Sequence, residues 1–386
     1  MIINFDYDAI VVGAGHAGTE AAHALATLGK NTLMLCLNKK VMANLPCNPS
    51  IGGSAKGIVV REIDALGGIE GKLADKTALQ MKVLNMSKGP GVRSLRAQED
   101  KVDYPKAVLA YMEQVKNLTI KEGMAVDLIV DDDKSIRGVV MEDGSRITSK
   151  VVVLTTGTHM ESLILRGHVV KEGGPDGEKA SHGLSQALKN LGIQLLRLKT
   201  GTPPRIKRDS IDFSKLEPQP GTPGQWAFSY DTNEFLPVEK MIMCYLTYTT
   251  PETHKIILDH LKDSAMYGGV VKGVGPRYCP SIEDKVVRFK DHPRHMLFVE
   301  PESIHTDSIY LQGFSTSMPI ELQGPMVHSL PGFEHAEFLK YAYAIEYDAI
   351  QPLQVQRNLM IRNHPGLFIA GQILGTSGYE EAAGAG

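Results

Sequence analysis

Two cysteines stand in segments whose composition suits chemistry better than core packing. Cys47 lies in Pro46-Cys47-Asn48-Pro49-Ser50-Ile51-Gly52-Gly53, and Cys279 in Gly273-Val-Gly-Pro-Arg277-Tyr278-Cys279-Pro280-Ser281. Prolines and glycines on both sides place each thiol on an ordered loop, where functional side chains concentrate. Arg277 and Lys285 are close to Cys279 in sequence, and neighbouring cations lower a thiol pKa and supply thiolate, the nucleophilic form. Cysteine is otherwise a small apolar residue, and Cys36 and Cys244 read as core. None of the four forms a Cys-x-x-Cys pair or has histidines at ligand spacing, so neither a disulfide framework nor a zinc site is indicated. Two basic loops, Ser87–Arg96 and Lys199–Arg205, carry donors suited to a phosphate, a flavin edge or a substrate anion, although most such loops are merely solvated.

The elements that must position these groups begin at Asp8-Ala-Ile-Val-Val-Gly13-Ala14-Gly15-His16-Ala17-Gly18-Thr-Glu20. An apolar strand runs into three glycines and then into a helix-forming segment, the arrangement that seats a dinucleotide pyrophosphate. Gly13 allows the tight turn, Gly15 lets the backbone approach the phosphates, and Gly18 lets the helix pack on the strand. A second segment, Asp143-Gly-Ser-Arg-Ile-Thr148 followed by a β-branched run to Gly157, reads as a hairpin leading into a strand buried on both faces. Near the C-terminus Gly366-Leu-Phe-Ile-Ala370-Gly371-Gln372 supplies another strand ending in Ala-Gly. Together these favour FAD over NAD at the first site. The acid expected about twenty residues past the glycines to bind a ribose hydroxyl is absent, with Cys36, Leu37 and Asn38 in its place.

The chain has 386 residues, 42% hydrophobic and 22% charged, with a formal charge of −3. These are globular values, and nucleic-acid contact would have to come from local patches. No apolar run is long enough to cross a bilayer and no leader precedes the first strand, so a cytoplasmic protein without membrane contact is expected. Alternating strands and helices imply an α/β fold with a doubly wound sheet of the two-dinucleotide, Rossmann-like kind. Helical segments are expected near 78–86 and 100–116, with strands near 125–130, 136–141 and 150–155. The run Tyr341–Tyr347 is either a strand near the cofactor or ordinary core. Proline, glycine and aromatic content changes after Arg205. The expected division is therefore 1–205 and 275–386 for the dinucleotide-binding domain, with 206–274 as an inserted, smaller α+β domain.

Several long segments carry a family resemblance: 13–22, 47–53, 62–68, 87–90, 198–205, 273–285, 344–348 and 375–383. They resemble the tRNA uridine 5-carboxymethylaminomethyl modification family, also called glucose-inhibited division protein A. The resemblance implies tightly bound FAD, hydride from NADH, and methylene-tetrahydrofolate as one-carbon donor. It also implies tRNA as substrate, a GTPase partner, and a homodimer. Cys47 and Cys279 match the family's two candidate catalytic thiols, one of which would add to C6 of the wobble uridine. Gly13, Ala14, Gly15, His16, Ala17, Gly18, Ala125, Ser181 and Gln372 match FAD positions, while Gly275, Arg277 and Lys285 fall in the nicotinamide-associated region. The chain departs from the family pattern at Pro175-Asp176, Lys340-Tyr341-Ala342, Arg357–Met360 and Leu374. It also stops where the family continues into a helical C-terminal region, so a fragment without full activity is an alternative expectation. Another flavin oxidoreductase, or the related folate-dependent tRNA uridine methyltransferase, is the other.

Overall fold

The computed structural model describes residues 5–275 and 280–386; the expectations for Arg277 and Cys279 lie outside these residues. Strand β1 (Tyr7–Val12), helix α1 (His16–Thr27) and strand β2 (Thr32–Cys36) form the first βαβ unit. β1 is the centre of a seven-stranded sheet, parallel to β2 on one side and to Arg146–Leu154 on the other. Leu118–Glu122 extends the sheet beyond β2, and Leu367–Ile369 pairs in parallel with Arg146–Leu154. The start of Arg146–Leu154 turns back antiparallel on Ile136–Met141, which pairs with Ala125–Val130. Alternate residues explain the apolar runs. Ile10 and Val12 pack with Leu33, Leu35, Val152 and Leu154 on one face, while Val11 and Met34 pack on the other against the helical layer. A strand buried on both faces has no polar side to show. The Rossmann-like α/β class expected from the sequence is therefore the fold observed.

Three antiparallel sheets complete the molecule. One joins Val169–Glu172, Leu163–Arg166, Tyr343–Ile350 and Leu195–Thr202 in that order. Every residue of Tyr343–Ile350 is buried, which resolves the Tyr341–Tyr347 run as a central strand. A small sheet joins Ser50–Gly52, Ser94–Glu99 and Ala78–Leu84. The expected helix at 78–86 is thus a strand. Its Met, Lys and Leu are good helix formers, but that preference is weak beside the pairing with Ser94–Glu99 and the burial of Leu79 and Met81. The helix expected over 100–116 forms as Asp103–Met112. The last sheet has six strands and draws on Arg205–Lys207, Glu217–Gln219, Cys244–Tyr248, Met296–Pro301, Ser308–Gln312 and Phe338–Lys340. It takes strands from both sides of residue 274 and has its own core around Ile206, Leu297, Ile309 and Phe314.

Candidate dinucleotide and thiol site

At the C-terminal edge of β1 the strand order reverses direction, and ligands of open α/β sheets bind at such a point. Gly13, Ala14, Gly15, His16 and Ala17 line a pocket there together with Leu35–Asn38, Ala125, Thr155–His159, Ser181 and Gln372. The candidate cofactor residues from the first fifth of the chain therefore share one pocket with Ala125, Ser181 and Gln372. Gly18 lies beneath the glycine turn, where any Cβ would collide with the carbonyl of Gly13. Gly13 has φ +113°, and a Cβ on it would strike Thr155. Gly15 differs, because a Cβ there would meet nothing within 4 Å.

The chemistry of this pocket suits a dinucleotide. The N-terminus of α1 has no side-chain cap and no acid in its first turn, so its amides and the positive dipole end are available to a pyrophosphate. Thr156 Oγ1 lines the same wall, buried and without a hydrogen-bond partner. Cys36, Leu37 and Asn38, which stand where the expected acid is missing, also line the pocket. Burial pushes the Cys36 thiol up to about 11, with Glu122 adding to the effect, so it is a neutral wall residue.

A buried polar group sits directly under the pocket. His16 Nδ1 is 2.9 Å from Glu70 Oε1, and Glu20 accepts the N–H groups of Ile69 and Glu70 at 2.8 Å each. Burial pulls the His16 imidazole down to about 4 and pushes Glu20 up to about 7. Glu70 is raised well above the carboxyl range by burial, with Glu380 adding. A neutral imidazole beside a protonated Glu70 is therefore the state this environment favours.

Next to the pocket opens a cleft of about 840 Å³. Cys47 lies on its wall, and the two cavities share Pro46, Thr158, Pro175, Gln372, Gly378 and Tyr379. The Cys47 thiol donates to Gly201 O at 3.4 Å, while the amides of Cys47 and Asn48 donate to Tyr379 Oη at 2.9 and 3.1 Å. Arg205 fixes the start of this loop through Pro46 O at 2.7 Å, and Glu380 fixes its end through Gly52 N at 2.7 Å. The loop is held at both ends, as a positioned nucleophile requires.

The opposite wall is polar. Arg96 pairs with the buried Glu300 at 2.6 Å, and Lys82 Nζ donates to Gln219 Oε1 at 2.7 Å. Cys244 lines the same wall, but burial, reinforced by Glu300, pushes its thiol up to about 12. Lys285 also lines the cleft and donates to Gly313 O at 2.9 Å. Gly275 stands apart from these lining residues, beside Lys199. The basic segment Lys199–Arg205 does not offer a free anion site. Lys199 is buried, and Arg205 is paired with Glu302 at 3.1 Å. Asp176, one of the departures from the family pattern, is paired with Lys340, another departure, and with Lys101 at 3.0 Å. Burial alone would raise its carboxyl, but Lys101, Lys340 and Arg205 outweigh this and bring it down to about 2. In Ser87–Arg96, residues 87–93 are exposed and only Arg96 reaches the cleft.

Sequence reasoning overlooked Tyr379, Glu380, Glu300 and the Gln80–Lys82 edge. Tyr379 and Glu380 lie in a quoted segment, but nothing local shows that they touch Cys47 and Gly52 more than 300 residues earlier in the chain.

Comparison with known proteins places this architecture. The chain is 56% identical over 98% of its length to the tRNA uridine 5-carboxymethylaminomethyl modification enzyme MnmG of Acholeplasma laidlawii, of which it covers 61%. It is 53% identical to the enzyme of the same name from Bacillus velezensis, covering 60% of that protein. The crystal structure of Aquifex aeolicus GidA superposes with a TM-score of 0.93 at 47% identity, over 98% of this chain and 64% of that one. The chain thus spans about three fifths of the curated relatives it matches. The family model of glucose inhibited division protein A matches residues 8–386. This chain is a member of the glucose inhibited division protein A family.

Proposed function

We propose that this chain is the cofactor-binding and catalytic part of an FAD-dependent enzyme that builds an aminomethyl or carboxymethylaminomethyl group on C5 of the wobble uridine of tRNA. One observation carries the reading: a dinucleotide pocket and a cleft bearing a positioned cysteine share a single wall at Pro46, Thr158, Pro175, Gln372, Gly378 and Tyr379. The names of the relatives supply the substrate class. Gly13–Ala17 and the N-terminus of α1 would hold the FAD pyrophosphate, with Ala125, Ser181 and Gln372 along the pocket. The bound flavin would supply redox chemistry, with NADH as reductant and methylene-tetrahydrofolate as one-carbon source. The residues of the cleft would position the base. A thiolate from Cys47 or Cys279 would form a bond to C6, push the C5–C6 π pair toward the C4 carbonyl and so make C5 nucleophilic. C5 would then bond to the one-carbon unit as that carbon's bond to its carrier nitrogen breaks with the electron pair going to nitrogen. Loss of the C5 proton with cleavage of the C6–S bond would restore the C5–C6 double bond and release the thiolate. A GTPase partner, a homodimer and a cytoplasmic location belong to the same reading. Among the described residues no helix is long and apolar enough to cross a membrane.

The test is the visible spectrum of the purified chain before and after anaerobic NADH. Flavin bands that bleach are expected, whereas a protein that stays colourless after added FAD would overturn the reading. Nucleoside mass spectrometry of tRNA from a deletion strain addresses the substrate. Loss of the wobble modification is expected, and loss of ribothymidine would point to the methyltransferase instead. Cys279→Ser should abolish modification and leave FAD bound, because the thiol is assigned to the base and not to the cofactor.

A further inference from the structure

Tyr379 lines both the dinucleotide pocket and the thiol cleft and also bonds the backbone of the Cys47 loop. Its ring stacks on His16, with centroids 4.5 Å apart and planes at 23°, and it lines both cavities. Its hydroxyl accepts the N–H groups of Cys47 at 2.9 Å and Asn48 at 3.1 Å. The next residue, Glu380, accepts Gly52 N at 2.7 Å and Lys56 Nζ at 2.9 Å. Two consecutive residues at the start of Tyr379–Ala385 therefore hold both ends of the thiol loop. His16, behind the ring, is itself fixed by Glu70 at 2.9 Å. A group entering the pocket has as a neighbour a ring that is stacked on His16 and whose hydroxyl carries two loop hydrogen bonds.

We propose that Tyr379 is a positioning residue that couples occupancy of the dinucleotide pocket to the reactivity of Cys47. This rests on the FAD reading above. The physical route is short. Displacing the ring by a fraction of an ångström changes the length and direction of both N–H···Oη bonds, and hence the field of those amide dipoles at the neighbouring sulfur. Hydrogen-bond donors near a thiolate set its pKa. Occupancy of the pocket thus selects one loop geometry, and the coupling acts in both directions.

The experiment is the pH dependence of Cys47 alkylation by iodoacetamide, followed on the Cys47 peptide by mass spectrometry, with and without FAD, in the wild-type chain and in Tyr379→Phe. The phenyl ring keeps the stack on His16 and lacks only the hydroxyl. FAD is expected to move the midpoint of the wild-type profile by about 0.5 pH unit or more. In Tyr379→Phe the two midpoints should coincide. Simple shielding of the thiol by FAD slows alkylation at every pH and leaves the midpoint where it was, so an unmoved wild-type midpoint overturns the proposal. An equal shift in Tyr379→Phe also overturns it. His16→Leu is the second variant, since it keeps the hydroxyl and removes the stacked contact, and the FAD-induced shift should shrink. FAD uptake is read separately from the flavin absorbance. A chain that takes up no FAD overturns the cofactor reading together with this coupling, whereas uptake with an unmoved midpoint overturns the coupling alone.

Discussion

The dinucleotide pocket and the thiol cleft lie side by side and are built in opposite ways. The pocket is anchored on one βαβ unit, whose Gly13, Gly15 and Gly18 each clear a different space. The cleft wall is made of side chains from several sheets, with Cys47, Lys82, Arg96, Tyr310 and Tyr343 arriving from distant parts of the sequence. Their electrostatics also differ. Beneath the pocket, burial dominates and holds carboxyls protonated, as at Glu20 and Glu70. At Asp176, next to a residue that lines the cleft, ion pairing with Lys101, Lys340 and Arg205 outweighs burial and holds the carboxyl ionised. A site for a large, invariant cofactor moiety can be written locally in glycines, but a site that presents a reactive group to a substrate needs long-range support.

That contrast is broken most severely at Arg205. Its guanidinium is buried against Glu302, bonds Pro46 O, and lies over the Tyr310 ring at 4.8 Å. Arg205→Met leaves Glu302 with less compensation in a buried site and should cost about 3–5 kcal/mol in denaturant unfolding. The Cys47 loop should loosen with it. If stability fell by less than about 1 kcal/mol, the cleft would not depend on this pair.

The electrostatic half of the comparison has a definite sign. Glu20 is raised to about 7 from 4.5. The unfolded chain loses that proton first as pH rises, so Glu20 contributes stability that is complete below pH 4.5 and is lost up to pH 7. His16, lowered to about 4 from 6.5, acts the other way over much of the same window, which flattens the wild-type curve. The difference between Glu20→Gln and wild type removes that background. It should move in the variant's favour by roughly 3 kcal/mol between pH 4.5 and 7. Asp176, lowered to about 2 from 3.8, contributes stability that is lost as pH falls through that range. For Asp176→Asn, the deficit against wild type should shrink by roughly 2 kcal/mol as pH falls from 3.8 to 2. Parallel movement in the two variants would mean that pocket and cleft share one electrostatic regime.

The same difference in construction explains what could be read from the sequence. The glycine turn, β1 and the strand ending at Leu154 were legible because burial on both faces leaves an unbroken apolar run and glycine spacing is a local signal. The loop placement of Cys47 was legible from its Pro-Asn-Pro surroundings. Ala78–Leu84 was misread as helix because its partner, Ser94–Glu99, is reached only across an exposed loop. Lys199 and Arg205 looked like a solvent-facing anion site, yet Met266, Glu302 and Pro46 enclose them from residues far away in the chain. Tyr379 is the extreme case. It lies 332 residues from Cys47, whose amide it holds.

Within the pocket, the finest separation is between two glycines three positions apart. Gly18 faces inward, and an alanine Cβ there would collide with the carbonyl of Gly13 and the hydroxyl of Thr155. Gly18→Ala should therefore lower stability by about 1–3 kcal/mol and reduce FAD uptake as a consequence. Gly15 has φ −76° and lines the pocket with nothing within 4 Å of a built Cβ. Gly15→Ala should unfold within about 0.5 kcal/mol of wild type. The added methyl nevertheless occupies the space through which a phosphate approaches the first turn of α1, so FAD affinity should fall about tenfold, or about 1.4 kcal/mol. Denaturant unfolding paired with FAD titration separates the two effects. Were Gly15→Ala to bind FAD like wild type, close backbone approach at this position would not be what the pocket provides, and the three-glycine account of the site would reduce to two.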